Sequence, residues 1–172
     1  MLKLIARVPE TIKLCCACVA ILISILPFAA VTHLPFVDYP NHLARFYIYQ
    51  HLGSDPYLSS FYEWHWAVQP TLALDVLILP FARFMQIEPA ANFVVMLSLI
   101  VLYVGTIALD RQLHGKDWGV SIFSGVILYN GALRMGFINY VIGVSFAILL
   151  LALWLRFRPR LVIPPEFRGL HE

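Results

Sequence analysis

The 172-residue chain is 60% hydrophobic and 13% charged, with a mean hydropathy of +0.78, whereas soluble domains carry about 45–50% apolar and about 25% charged residues. A globule of about 150 residues still exposes nearly a third of its surface, so this composition excludes a soluble domain and makes lipid the solvent for much of the chain. A net charge of +2, from 12 basic and 10 acidic residues, comes without a basic run among aromatic strand positions and argues against nucleic acid as a partner.

Lys3, Arg7 and Lys13 lead into the first apolar stretch, residues 14–31. It is longer than the hydrophobic region of a secretory signal and lacks a clean small-x-small cleavage site, so an uncleaved span is expected over about residues 12–32, its basic end cytoplasmic. Cys15, Cys16 and Cys18 cluster at that end. With no His partner and no zinc-ligand spacing, they read as reduced, small packing residues, with acylation as the alternative.

Residues 33–88 then form a long outer loop. It holds Asp38, Asp55, Glu63, Asp75 and Glu88 against Arg45 and Arg83, five negative charges to two positive. Loops of this length are functional or disordered, and the richness in Tyr, Trp, Phe and His argues for a folded one. A surface helix is expected over residues 40–52, with Asp38 as its N-cap and Pro40 in the first turn. His42 and Arg45 lie four and seven residues beyond Asp38, which would bring a carboxylate, an imidazole and a guanidinium to one face at the membrane surface. Asp38 is then either a cap or a general base. Residues 61–66 alternate, so an extended chain puts Tyr62, Trp64 and Trp66 on one face and Glu63 and His65 on the other. The aromatics read as an interfacial belt or as a sugar-stacking platform. His33, His42, His51 and His65 share the loop without close ligand spacing, so no metal site is assigned.

The segment 70–85 is short and contains Asp75, Pro80 and Arg83. It reads as an interfacial helix with Thr71, Asp75, Arg83 and Gln86 facing water. Further spans are expected over about residues 89–109, 117–133 and 137–156. With 70–85 crossing as well, Arg156, Arg158 and Arg160 would lie outside; with four crossings, every basic cluster, including Arg111 and Lys116, is cytoplasmic. Polar residues within the spans read as packing, and Gly143-x-x-x-Ala147 as a site of close helix approach. A second outer loop over residues 130–139 carries Arg134 and Asn139 around Gly136, a cation facing the acidic first loop and read as pairing with a carboxylate there or binding a phosphate. Residues 161–172, with Pro164 and Pro165, form an extended cytoplasmic tail. The expected fold is therefore an all-α integral membrane protein of four transmembrane helices, its large outer loop carrying two juxtamembrane helices. The chain has no P-loop, GxSxG, HExxH, CxxC or dinucleotide fingerprint.

The phrase Asp38-Tyr39-Pro40-Asn41-His42-Leu43-Ala44-Arg45, the surface helices 40–52 and 70–85, and a second span ending near Arg111-Gln112-Leu113-His114-Gly115 together resemble the N-terminal module of GT-C-class membrane glycosyltransferases, such as protein mannosyltransferases and the aminoarabinose transferase of lipid A. The resemblance implies that Asp38 is the base that deprotonates an acceptor hydroxyl or amine while a sugar leaves a polyprenyl phosphate, with inversion at the anomeric carbon. His42, Arg45 and Arg134 become phosphate or acceptor contacts, and Trp64, Trp66 and Asn139 complete the substrate-binding set. Membrane lipid and a polyprenyl-phosphate-linked sugar are the implied partners, and a bacterial-type inner membrane with both termini cytoplasmic is the implied location. Arg134 and Asn139 stand where many relatives place a second acidic residue, so no cofactor and no divalent metal is assigned. Such enzymes carry several more spans, so further C-terminal spans or another membrane chain are expected. The rival reading is a noncatalytic membrane subunit whose outer loop binds a partner or lipid. A transporter fragment is a third, though no span holds the paired ionisable residues of an ion pathway.

Overall fold

The computed structural model describes residues 8–115 and 118–158. In chain order these form α1 (Glu10–Ala30), α2 (Tyr39–His51), α3 (Pro56–Phe61), α4 (Leu72–Phe81), α5 (Ile87–His114), a 3-10 turn (Val120–Phe123), α6 (Ser124–Ile127), α7 (Gly131–Met135) and α8 (Ile138–Phe157), with no strand among the described residues. Three of them, α1, α5 and α8, are long and apolar enough to cross a membrane. At 1.5 Å per residue, 20 or so residues reach about 30 Å, the thickness of the hydrocarbon core. Large apolar side chains such as Leu22, Ile23 and Leu26 on α1 and Leu150, Trp154 and Phe157 on α8 are exposed, as a lipid-facing surface requires. The tail 161–172 lies outside the described residues.

Helix α5 is the axis of the bundle. Its buried side chains Ala91, Val94, Val95 and Leu99 join Phe28 of α1, Leu74 and Ile78 of α4, and Val141 and Ile142 of α8 in one core. Near its N-terminus the buried amide of Asn92 ties three elements together: Nδ2 donates to the carbonyls of Val31 (3.1 Å) and Thr32 (3.0 Å), and Oδ1 accepts from the Tyr39 hydroxyl at the start of α2. Ser98, Thr106 and Ser145 donate to the carbonyl four residues back, which satisfies each hydroxyl within its own helix.

Helices α5 and α8 run parallel. Both begin at the Asp38 end, and Gly105 of α5 meets the backbone of Leu149 so closely that a Cβ there would sit 3.1 Å from the Leu149 nitrogen. The expected close approach at Gly143 does not occur, since nothing lies within 4 Å of a Cβ built there. Small residues permit close contact only where a neighbouring backbone is present, and that position is Gly105.

Parallel neighbours need a return, and residues 118–136 provide it. Trp118 Nε1 donates to Glu10 Oε2 (2.8 Å) at one end, and Gly136 packs on Asp38 at the other. The expected continuous helix over 117–133 is not formed: the stretch breaks into a 3-10 turn and two short helices. Gly119, Gly125 and Gly131, alternating with Val120, Ile122 and Val126, are poor helix formers, a weakness that hydropathy alone does not register. Side chains of the continuous helices satisfy the interrupted backbone. Tyr103 donates its hydroxyl to the Ile122 carbonyl (3.0 Å), and the Gly119 amide donates to Asp110 Oδ2 (3.2 Å).

Two further expectations are corrected. Helix α4 is shorter than 70–85, so Arg83 and Gln86 fall outside it and the four-residue polar face does not form. All three cysteines are exposed rather than packed within the described chain.

Candidate functional site

The site is assembled at the start of α2. Asp38 occupies the N-cap position with φ −94° and ψ 0°, and its side chain makes no capping bond. Its Oδ1 instead accepts from Asn41 Nδ2 (2.7 Å), and Oδ2 lies 3.5 Å from His42 Nε2. The carboxylate is 42% exposed while His42 is only 15% exposed, so the imidazole backs an accessible acid. His42 Nε2 also lies 3.2 Å from the Gly136 carbonyl, a contact in which the ring nitrogen donates.

The loop around Gly136 holds that geometry in place. The Val37 amide donates to the Arg134 carbonyl (3.1 Å) and the Asp38 amide to the Met135 carbonyl (3.2 Å). Gly136, at φ +84°, sits directly against Asp38, where a Cβ would lie 2.8 Å from the Asp38 nitrogen. Only glycine satisfies both the left-handed backbone and the contact. The loop therefore docks through its main chain. The Arg134 side chain is exposed and makes no ion pair among the described residues.

Arg45 is turned away from Asp38. Its Nη2 donates to Asp75 Oδ2 (2.6 Å) and its Nη1 to Thr71 Oγ1 (3.2 Å), joining α2 to α4. Asp75, expected to face water, is 3% exposed at its side chain. Burial pushes its carboxyl above the usual carboxylate range, and the positive field of Arg45, with a smaller part from His42, pulls it back. Burial likewise raises the Tyr39 hydroxyl, helped by the charge of Glu88.

Residues 62–69 run without regular structure along α2 and enclose a cleft of 460 Å³ lined by Asn41, Arg45 and Ile48 on one side and Tyr62, Glu63 and Trp64 on the other. Arg45 lies over the Trp64 ring, 5.1 Å from its centroid, and Tyr49 packs on the same ring at 4.5 Å. Trp64 Nε1 is buried without a hydrogen-bond partner. The alternation is as expected in one respect: Glu63 and His65 share a side, 3.1 Å apart, while Trp64 and Trp66 are neighbours at 5.7 Å. Trp66 is exposed and does not line the cleft. Asn139 is also apart from it. Its Oδ1 accepts the Leu74 amide (2.8 Å) at the N-terminus of α4, a cap supplied from α8.

Asn41, Thr71, Asp75 and Gly136 thus join the site without having been singled out as site residues. The i, i+4 spacing of Thr71 and Asp75 placed them on one face, but no rule of spacing says which partner that face meets. Among the described residues no group of three or more His, Cys, Asp or Glu side chains converges. Compared with known proteins, the chain matches no family model, no curated protein and no solved structure.

Proposed function

We propose that this chain is a module of an inner-membrane glycosyltransferase that moves a sugar from a polyprenyl phosphate to an outer acceptor, with Asp38 as the base. The observation that carries this reading is the Asp38 carboxylate itself, exposed, free of the capping bond and oriented by Asn41 and His42. In the proposed reaction Asp38 takes the acceptor proton as the acceptor oxygen or nitrogen bonds to the anomeric carbon and the sugar–phosphate bond breaks. The carboxylate lies 3.5 Å from His42 Nε2, whose N–H is engaged by the Gly136 carbonyl and adds a weak shared contact. Asn41 links it to the cleft, whose volume falls in the about 300–1,000 Å³ of small-molecule sites. There the Trp64 ring supplies a stacking surface for a sugar. Arg134 is the cation left for a phosphate, because Arg45 is engaged by Asp75. In the same reading residues 118–136 make a fourth passage through the bilayer, with both termini cytoplasmic.

The test is transfer by membranes holding the full chain, supplied with a panel of polyprenyl-phosphate-linked sugars. Asp38→Asn should leave abundance unchanged, since the native side chain makes no cap, and should lower transfer by about 10²–10⁴-fold, the range of a lost acid–base group. Transfer by the Asn variant at the wild-type rate would refute the assignment. A noncatalytic subunit is the second reading, favoured by the exposed apolar side chains Tyr57, Phe61, Val68 and Phe84 around the outer region. A partner bound there would cover them.

A further inference from the structure

A second cleft, of 810 Å³, opens at the end of the bundle opposite Asp38. Its walls are apolar, with Leu14 and Ile21 from α1 facing Val104 and Ile107 from α5, while Arg111 and Arg156 stand among the residues that line it. Glu10 is the acidic residue of that lining, and it is already engaged: Lys13 Nζ lies at 3.1 Å, the Trp118 indole donates at 2.8 Å, and Arg111 Nη2 is 4.0 Å away. Arg111 also lies over the Trp118 ring, 5.1 Å from its centroid. Arg156 is exposed and has no carboxylate within ion-pair distance among the described residues.

We propose that this cleft binds an anionic glycerophospholipid, its headgroup phosphate held between Arg111 and Arg156 and one acyl chain lying along the walls of α1 and α5. Charge and shape agree on that occupant. A soluble anion would leave the apolar walls bare, and an apolar helix would bury an arginine that has no counter-ion. A lipid meets both demands, because basic pockets between helices on the cytoplasmic side attract the anionic headgroups of that leaflet.

The experiment uses the full chain in phosphatidylcholine vesicles carrying a trace of nitroxide-labelled phosphatidylglycerol or nitroxide-labelled phosphatidylcholine. The motionally restricted fraction of each label is read by electron paramagnetic resonance. At low salt the restricted fraction should favour phosphatidylglycerol by roughly fivefold for each arginine that reaches the headgroup. Arg156→Gln should reduce the preference, the Arg111→Gln, Arg156→Gln pair should abolish it, and the pair of Lys replacements, which keeps both charges, should restore most of it. Equal restriction of the two lipids by the wild type, or a preference that survives the double Gln variant, would overturn the proposal. Equal restriction together with Cys18-to-Cys18 cross-linking would assign the cleft to a second copy of the chain instead.

Discussion

At the scale of single residues, Asp38 shows how position and role separate. Its sequence context places it at a helix start, which the structure bears out, but capping needs the side chain to reach an amide of the first turn. With ψ near 0° and the Asn41 amide on its Oδ1, the carboxylate turns elsewhere. Gly136 was legible only as the centre of a short polar loop; that it lies against Asp38 depends on two segments about a hundred residues apart in sequence. The contact makes a paired prediction. Gly136→Ala combines a left-handed backbone, worth about 1–2 kcal/mol, with a clash against Asp38, so it should destabilise by more than that and displace the acid. Gly143→Ala meets open space in a helix interior and should be neutral or stabilising by up to about 1 kcal/mol. Thermal unfolding in detergent compares the two, and an equal response would mean that Gly136 carries no special constraint.

At the scale of elements, hydropathy located α1, α5 and α8 to within a few residues at most boundaries, because a long apolar run in lipid has few alternatives to helix. It located α4 as well but misjudged which way its polar face points. The Thr71 and Asp75 face is turned inward, to Arg45 of α2, and burial of an ion pair has consequences when one partner is removed. Arg45→Ala should cost about 3–5 kcal/mol near neutral pH, since it strands a buried carboxylate. Its pH dependence follows from the raised Asp75 value. A carboxyl whose folded pKa lies above the unfolded one contributes stability that is fully present below the unfolded value and is lost as pH rises through the folded value. Removing Arg45 raises the folded value further, so the penalty should shrink as pH falls from neutral towards the point where Asp75 takes up a proton. Asp75→Asn keeps an oxygen for Arg45 and should show a smaller loss without that slope. A pH-independent penalty in Arg45→Ala would show that Asp75 is not the group left behind.

At the scale of the whole molecule, the arrangement of α5 and α8 constrains the path between them more tightly than composition does. Both helices begin beside the Asp38 end, and Arg111 and Arg156 near their far ends line one cleft, so the connecting chain must travel back along the bundle. Counting charges across the spans led to the same return, but as a continuous helix. Apolar composition cannot distinguish a helix from a broken segment whose peptide groups are satisfied by neighbours. Irregular backbone is tolerated at membrane depth only where protein supplies its hydrogen bonds, and Tyr103 and Asp110 supply such bonds to this segment. Tyr103→Phe leaves the Ile122 carbonyl without its donor and should destabilise by about 1–3 kcal/mol, which detergent unfolding would detect. The passage itself is tested by accessibility. With Cys15, Cys16 and Cys18 replaced by serine, single cysteines at the exposed positions Gln112, Arg134 and Arg158 should react with an impermeant maleimide from the cytoplasmic, outer and cytoplasmic sides respectively. Positions 112 and 134 reacting from the same side would mean that residues 118–136 fold back without crossing. It would also place Asp38, whose amide is bonded to the carbonyl of Met135, on the cytoplasmic side or require that contact to be absent in the bilayer. A reaction of 134 from the outer side alone would put the carboxylate where a lipid-linked sugar and an outer acceptor can meet.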